Sequence, residues 1–147
     1  HADCTPILVY CKDQKIVCAI HSGWIGTVRQ IVDHTIRYLI EKENCNPKEM
    51  YCLIGPCLSK KHLEVQDDVI NQVKKMNFDT SPFYQKTDET HYLLDNKGLN
   101  KQQLLNLGVL EENIQVSSYC TNENNDLFFS HRVNHDGQRN VTIIKRK

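Results

Sequence analysis

Cys4 and His21 are the residues whose types best fit catalytic chemistry, and Asp3 lies directly before the cysteine. Thiolate sulfur and imidazole nitrogen are ligands that zinc prefers, and a catalytic zinc site needs three protein ligands and an open position. The same two side chains could instead form a pair in which imidazole lowers the pKa of a nucleophilic thiol. A buried cysteine beside a structural histidine is the third interpretation. One cysteine and one histidine far apart in sequence do not decide between the three.

Two other segments contain residues that could bind an anion. Gly23 and Gly26 flank Trp24 in "HSGWIG", before a predicted helix, and backbone amides at a helix N-terminus attract anions. The segment "SHRVNHDGQR" (130–139) contains Arg132 and Arg139, whose guanidinium groups could hold a phosphate. A plain strand-to-helix turn and a polar hairpin tip would give the same two patterns, so these alternatives stay open.

The charge balance argues against a polyanionic partner. The chain of 147 residues has 18 Lys and Arg against 18 Asp and Glu, so its formal net charge is zero. Without net positive charge, the chain has no long-range attraction to nucleic acid or to an anionic membrane surface. Its apolar runs are also shorter than the roughly 20 residues that span a bilayer. We therefore expect neither nucleic acid nor membrane as a partner.

The seven cysteines indicate a reducing compartment. Their number is odd, no CxxC pair occurs, and no signal peptide is visible, whereas a secreted disulfide framework favours an even count in a smaller chain. Most of these thiols are then expected to be small buried hydrophobic side chains. The sequence thus predicts a cytoplasmic protein.

A predicted hairpin positions the candidate residues. The runs "PILVYC" (6–11) and "KIVCAIH" (15–21) are rich in β-branched residues, and the polar "KDQ" between them favours a turn. His21 would end the second strand of this hairpin. Further strands are predicted at 50–55, 114–120 and 140–147.

Three helices are predicted from apolar spacing, at 27–43, 65–76 and 95–109. The last is expected to be capped near Asn100 and to end at Gly108. Residues 77–92 look like an irregular surface segment, and 127–132 an apolar segment between turns. Because strands and helices are mixed without strict alternation, we expect one α+β domain over residues 1–147, with mixed β-sheets flanked by helices.

Six segments resemble a known family in their order and spacing: "ADCTPILV", "AIHSGWIGTV", "IGPCLSKKHLEV", "DNKGLNKQQLLNLGV", "SSYCTNENNDLFFSHR" and "DGQR". They are similar to the YfiH family, also called the laccase-domain or multicopper polyphenol oxidoreductase family and now regarded as purine nucleoside phosphorylases. The likeness runs from residue 2 to nearly the end, and the combination of "ADC", "HSGW" and "IGP" is specific. The resemblance implies a layered fold like that of a bacterial toxin deamidase. It also implies that this chain corresponds to a C-terminal portion of a usual family member.

The resemblance also implies an activity. Zinc-dependent cleavage of adenosine, inosine, guanosine or methylthioadenosine by phosphate would give the base and a pentose 1-phosphate, and adenosine deamination is a second implied activity. Copper is an alternative metal, and polyphenol oxidation is the family's older assignment. By motif position, Cys4 and His21 correspond to two of three metal ligands. Asp3 is a candidate for acid–base chemistry or for orienting a ligand. Gly23, Trp24, Arg132 and Arg139 are candidates for binding substrate.

Two departures from the family pattern stand out. The third ligand is a histidine in an upstream "QxHG" segment, which this sequence lacks, and His1 is a poor substitute because the family has Thr there. Ile25 stands where the family has an arginine that could bind phosphate, and an aliphatic side chain cannot make charge-assisted hydrogen bonds.

These departures keep two other functions open. One is a cysteine hydrolase or amidase with Cys4 as nucleophile and His21 as base. The other is an inactive, truncated binding module. For the phosphorylase, the expected partners are purine nucleosides and phosphate, and the chain would be a monomer or a homodimer.

Overall fold

The computed structural model describes residues 1–146 and confirms the mixed α+β fold. The described residues form seven strands and five α-helices: β1 (Thr5–Cys11), β2 (Ile16–Ser22), α1 (Trp24–Val28), α2 (Ile31–Glu41), β3 (Met50–Ile54), β4 (Glu64–Gln66), α3 (Asp67–Val73), β5 (Tyr84–Lys86), β6 (His91–Leu94), α4 (Asn96–Asn106), β7 (Ile114–Val116) and α5 (His131–Asn134). Short 3₁₀ turns connect several of them, among them Lys60–His62 and Ser81–Phe83.

The larger sheet has the strand order β2-β1-β3-β7. Strands β1 and β2 form the predicted antiparallel hairpin, with Thr5 opposite Ser22 and Cys11 opposite Ile16. Strand β3 pairs antiparallel with β1 and parallel with β7, so the sheet is mixed. Buried residues alternate along β3, as expected for a sheet that packs on one face.

A second sheet, of order β4-β6-β5, corrects the prediction of an irregular segment at 77–92. Both neighbours of β6 are antiparallel to it. Tyr84 of β5 and Tyr92 of β6 pack edge to face with ring centroids 6.2 Å apart. Such cross-strand aromatic pairs stabilise short strands that a polar composition conceals.

The predicted helix 27–43 is also wrong at its start. The chain is helical from Trp24 to Val28, turns at Gln30 with a left-handed φ of 56°, and is helical again from Ile31 to Glu41. The break redirects the chain, because Trp24 and Val28 pack on one hydrophobic cluster while α2 packs on another.

Two further boundaries differ from the prediction. The predicted helix 65–76 begins only at Asp67, because Glu64–Gln66 pair with β6 instead. The helix within 95–109 is capped at Asp95, not near Asn100: the carboxylate of Asp95 accepts a hydrogen bond from the amide of Gly98 at 2.9 Å. Gly108, with φ of 87°, lies just beyond its end as predicted.

Two hydrophobic clusters form the interior, and α4 contributes to both. The first cluster packs α2 against the larger sheet and includes Leu104 of α4. The second cluster packs α3 against the smaller sheet and includes Leu99 of α4. One helix therefore joins the two layers of the fold.

The predicted strand 140–147 does not form over the described residues, and Lys147 lies outside them. Residues 140–146 run without regular secondary structure, and Val141 and Ile143 are 80% and 77% exposed. Their β-branched side chains favour a strand, but β-propensity acts only where a neighbouring strand and a packing face exist. Within residues 1–146, no helix is long and apolar enough to cross a membrane.

Candidate functional site

The open end of the β1–β2 hairpin positions Cys4. Thr5 pairs with Ser22, so Cys4 follows opposite Gly23. A Cβ atom built on Gly23 would lie 3.0 Å from the Cys4 sulfur, closer than real Cβ contacts usually are. Gly23 therefore leaves the space that the Cys4 side chain fills. Cys4 itself lies in a bend just before β1.

A cleft of about 190 Å³ opens beside Cys4. It is lined by Ala2, Asp3, Cys4, Gly23, Trp24, Leu58, Leu63, Asn96, His131 and Arg132. The lining thus contains five of the seven site residues predicted from sequence. Its remaining walls come from the turn after β3 and from the starts of α4 and α5.

His21 and Arg139, the other two predicted residues, line a separate cavity of about 360 Å³ together with His1. The two cavities adjoin along the chain, since His1 lines one of them and Ala2, Asp3 and Cys4 line the other. Arg139 donates a hydrogen bond to the carbonyl of Gln138 at 2.7 Å. The structure thus divides the predicted site between two neighbouring hollows.

Asp3 connects several segments of the cleft wall. Its Oδ1 accepts a hydrogen bond from the Thr121 hydroxyl at 2.7 Å, and its Oδ2 accepts one from the Arg132 amide at 2.9 Å. Its carbonyl accepts a third from the Leu58 amide at 3.1 Å. Asp3 also adopts a positive φ of 79°, uncommon for a non-glycine residue. Through its carboxylate and its carbonyl, Asp3 thus links three segments of the cleft wall by hydrogen bonds.

Burial raises the pKa of the Cys4 thiol above its ordinary value of 9.0, and the negative charge of Asp3 raises it further. The N-terminal amine and Arg139 oppose this shift without reversing it. A nucleophilic cysteine needs the opposite shift, because the thiolate is the reactive form. In the metal-free chain, Cys4 is therefore a protonated thiol near neutral pH.

The donor set at Cys4 and His21 fits zinc in part. Sulfur and imidazole nitrogen are donors of the right chemistry, although the two side chains line different cavities. A third donor does not complete them: within residues 1–146, the one trio of His, Cys, Asp or Glu ligand atoms within 4.8 Å of one another is elsewhere, at His62, Cys120 and Glu123. The Nε2 of His1 lies 2.6 Å from the Thr142 hydroxyl oxygen, and the two form a hydrogen bond.

Asn96 is a cleft residue that the sequence did not reveal. Its Nδ2 donates to the Thr5 hydroxyl at 2.9 Å and to the Ser22 carbonyl at 3.1 Å. A carbonyl can only accept, so these bonds fix which end of the amide is nitrogen. The Oδ1 of Asn96 is buried and has no hydrogen-bond partner within residues 1–146. An unpaired acceptor beside a cleft can accept a hydrogen bond from a donor such as a hydroxyl or water. In the sequence, the feature that could have pointed to Asn96 is the pair Asp95-Asn96 at a strand-to-helix junction.

His131, at the start of α5, also lines the cleft, and only its place in the polar segment 130–139 pointed to it from the sequence. Cys57 and Cys120 are not in the lining of this cleft. Their backbones pair in an isolated parallel β-bridge, their thiols are free, and both residues are fully buried.

Sequence comparison finds relatives of this chain among curated proteins. A Bacillus subtilis (strain 168) protein named purine nucleoside phosphorylase YlmD is 37% identical over 131 residues, covering 89% of this chain and 47% of that protein. A Staphylococcus epidermidis (strain ATCC 12228 / FDA PCI 1200) protein named purine nucleoside phosphorylase is 33% identical, covering 100% of this chain and 54% of its own length. The chain spans about half the length of the curated relatives it matches.

Solved structures have the same fold. The crystal structure of Bacillus licheniformis hypothetical protein YfiH superimposes with a TM-score of 0.88 at 32% identity, covering 90% of this chain and 50% of that one. YlmD from Geobacillus stearothermophilus gives 0.85 at 34% identity, with 90% and 49% covered. The family model described as multi-copper polyphenol oxidoreductase laccase matches residues 1–147. The chain belongs to this family, which is the YfiH family that its motifs resemble.

Proposed function

We propose that this chain forms the metal- and substrate-binding portion of a zinc-dependent purine nucleoside phosphorylase. The substrates are adenosine, inosine, guanosine or methylthioadenosine together with phosphate, and adenosine deamination is a second activity of the same site. The observation that carries the proposal is the cleft that gathers Asp3, Cys4, Gly23, Trp24 and Arg132. Relatives at 30–37% identity are named purine nucleoside phosphorylases, which supports the reaction class.

Each side chain has a role in this proposal. Cys4 and His21 would hold the zinc ion together with a third ligand that residues 1–146 do not bring to them, and the ion would supply positive charge to polarise the reacting oxygen. Trp24 offers a flat apolar surface for a purine ring. The buried Oδ1 of Asn96 accepts a hydrogen bond from a sugar hydroxyl.

Arginine binds the phosphate. Arg132 has five N–H donors, of which one Nη2 donor bonds to the carbonyl of Glu64 at 3.0 Å. Arg139 is the second candidate, from the neighbouring cavity. Ile25 is 49% exposed, and its uncharged side chain does not supply the positive charge that the family's arginine would supply there. We therefore expect weak phosphate binding.

The cysteine hydrolase is the less favoured function. A Cys4–His21 pair would need a lowered thiol pKa, whereas burial and Asp3 raise it. The inactive binding module is favoured by Ile25 and by the lack of a third ligand. A measurement of nucleoside turnover distinguishes this binding module from the phosphorylase.

Phosphate-dependent release of adenine from adenosine tests the proposal. Chromatography of reactions with and without phosphate should show adenine and ribose 1-phosphate only when phosphate is present. The matched variant is Ile25→Arg, which restores a cation at an exposed position and should lower the KM for phosphate about tenfold or more.

Two outcomes would contradict the phosphorylase, and a third would contradict the role of position 25. Adenine release that is independent of phosphate would indicate hydrolysis. No turnover by either protein, with zinc supplied, would indicate a binding module. Equal phosphate dependence of the original chain and Ile25→Arg would remove position 25 from phosphate binding.

A further inference from the structure

A second group of metal-ligating side chains lies behind the cleft wall. His62, Cys120 and Glu123 offer an imidazole nitrogen, a sulfur and a carboxylate oxygen, all within 4.8 Å of one another. We propose that this trio is a zinc-binding site separate from Cys4 and His21, with Cys120 as its inner ligand. The inference does not depend on the phosphorylase activity.

The backbone holds the three ligands in place. His62 ends a 3₁₀ turn in which its amide donates to the Ser59 carbonyl at 3.0 Å. Cys120 begins the turn that contains Glu123, and the amide of Asn124 closes it on the Cys120 carbonyl at 2.9 Å. Because both turns are hydrogen-bonded, the ligands are positioned before an ion binds.

The surroundings of the sulfur favour a metal thiolate. The amide of Ser59 donates a hydrogen bond to the Cys120 Sγ at 3.3 Å. Backbone donors that point at a sulfur stabilise its negative charge, as groups around metal ligands commonly do. Binding would form a zinc–sulfur bond and release the thiol proton to solvent.

The other two ligands already contact each other. The Nε2 of His62 lies 2.9 Å from Oε1 of Glu123, and the Nζ of Lys61 lies 3.3 Å from the same oxygen. An ion would replace the proton between His62 and Glu123. Lys61, whose side chain is 76% exposed, can move into solvent.

The spacing suits zinc after small side-chain rotations. Zinc binds sulfur at about 2.3 Å and nitrogen or oxygen at about 2.0–2.2 Å, so tetrahedral ligand atoms lie roughly 3.3–3.7 Å apart. The observed separations range from 2.9 Å up to at most 4.8 Å. Cys120 is fully buried and His62 and Glu123 are partly exposed, so the ion would lie near the surface with water as its fourth ligand.

The ion would stiffen the cleft. Leu58, which lines the cleft, precedes the Ser59 donor, and Thr121 follows Cys120 and donates to Asp3. Zinc would therefore tie together the two turns from which this wall is built.

Cobalt titration of the full chain carrying Cys4→Ser tests the site, since this variant removes the sulfur of the proposed catalytic zinc. We expect one equivalent of Co²⁺ to give a thiolate-to-cobalt charge-transfer band that Zn²⁺ abolishes. In this background His62→Gln and Glu123→Gln should each weaken Zn²⁺ binding at least about tenfold. Lys61→Gln is the matched control, because it removes a neighbouring charge without removing a ligand, and should bind Zn²⁺ as well or more tightly.

The proposal would be overturned if the charge-transfer band is missing. It would also be overturned if the Zn²⁺ affinities of His62→Gln and Glu123→Gln equal that of Lys61→Gln. The three substitutions are at exposed or partly exposed side chains, so the same comparison in the original background remains valid if Cys4→Ser fails to fold. There, zinc at a hundred times the Kd of Lys61→Gln should raise the Tm of Lys61→Gln by roughly 5–10 °C and the Tm of Glu123→Gln by clearly less. Equal shifts would contradict the site.

Discussion

At the scale of single residues, the environment of Cys4 determines which chemistry is open to it. Its sulfur fills the space left by Gly23, beside the charge of Asp3. This environment disfavours a free thiolate, yet a metal ion would supply the positive charge that deprotonates the thiol. The same residue is thus a poor nucleophile alone and a suitable zinc ligand.

Alkylation of Cys4 tests this difference. Because burial and Asp3 raise its pKa above 9.0, the thiolate fraction stays small at pH 7 and grows as the pH rises through the folded-state pKa. Iodoacetamide should therefore modify Cys4 of metal-free protein slowly at pH 7 and much faster above pH 9. Mass spectrometry of the Cys4 peptide measures the rate.

The guanidinium-unfolded chain is the control, since there Cys4 should react as an ordinary exposed cysteine does. A fast rate at pH 7 in the folded chain, falling only at acid pH, would instead identify an activated nucleophile and favour the hydrolase.

At the scale of elements, α4 attaches to the site hairpin through polar contacts. Asn100 donates to the Thr27 hydroxyl at 3.1 Å and to the Asn96 carbonyl at 2.7 Å, and accepts from the Ser22 hydroxyl at 2.8 Å. All of these groups are buried, so each needs its partner. This network fixes where α4 presents Asn96 to the cleft.

Asn100→Ala should lower the free energy of unfolding by about 2–4 kcal/mol, because it removes the buried amide that bonds to Ser22, Thr27 and the Asn96 carbonyl and leaves the two hydroxyls only each other as side-chain partners. Urea denaturation measures the change. Gln102→Ala is the matched control on the same helix, where the lost amide contact, to Asn106, is at the surface. Its effect should stay below about 1 kcal/mol, and equal losses in both variants would show that the buried network adds no stability.

At the scale of the whole molecule, two hydrophobic clusters share one helix. Leu99 and Leu104 of α4 are both fully buried, one in each cluster. A helix cannot leave one cluster without withdrawing its side chain from the other. We therefore expect the two layers to unfold together.

Trp24, the one tryptophan, packs against the second cluster, so its fluorescence reports that layer, while far-UV circular dichroism reports all helices and strands. The two probes should give the same urea midpoint. Ile36→Ala in the first cluster should lower the free energy of unfolding by about 2–5 kcal/mol. It should shift the urea midpoints of both probes equally.

Val73→Ala makes the same comparison from the second cluster. A variant that moves one midpoint and leaves the other unchanged would show two layers that unfold independently.

Local patterns predicted part of this structure. The β1–β2 hairpin, β3 and the end of α4 at Gly108 follow from β-branched runs and from glycine at a left-handed position. The small sheet was missed because β5 and β6 contain few residues and depend on packing between Tyr84 and Tyr92. The break at Gln30 was missed because the apolar spacing continues through it.

The sequence by itself determined the family and the fold class, because short motifs carry these in their residue types and order, and its zinc ligands Cys4 and His21 stay a prediction. The tertiary structure alone decided how those residues group. It put Cys4 and Trp24 in one cleft and His21 in the next, added the orphan oxygen of Asn96, and brought His62 to Cys120. The reason is physical: side chains far apart in sequence meet only where the sheets and helices pack, and no local pattern records that distance.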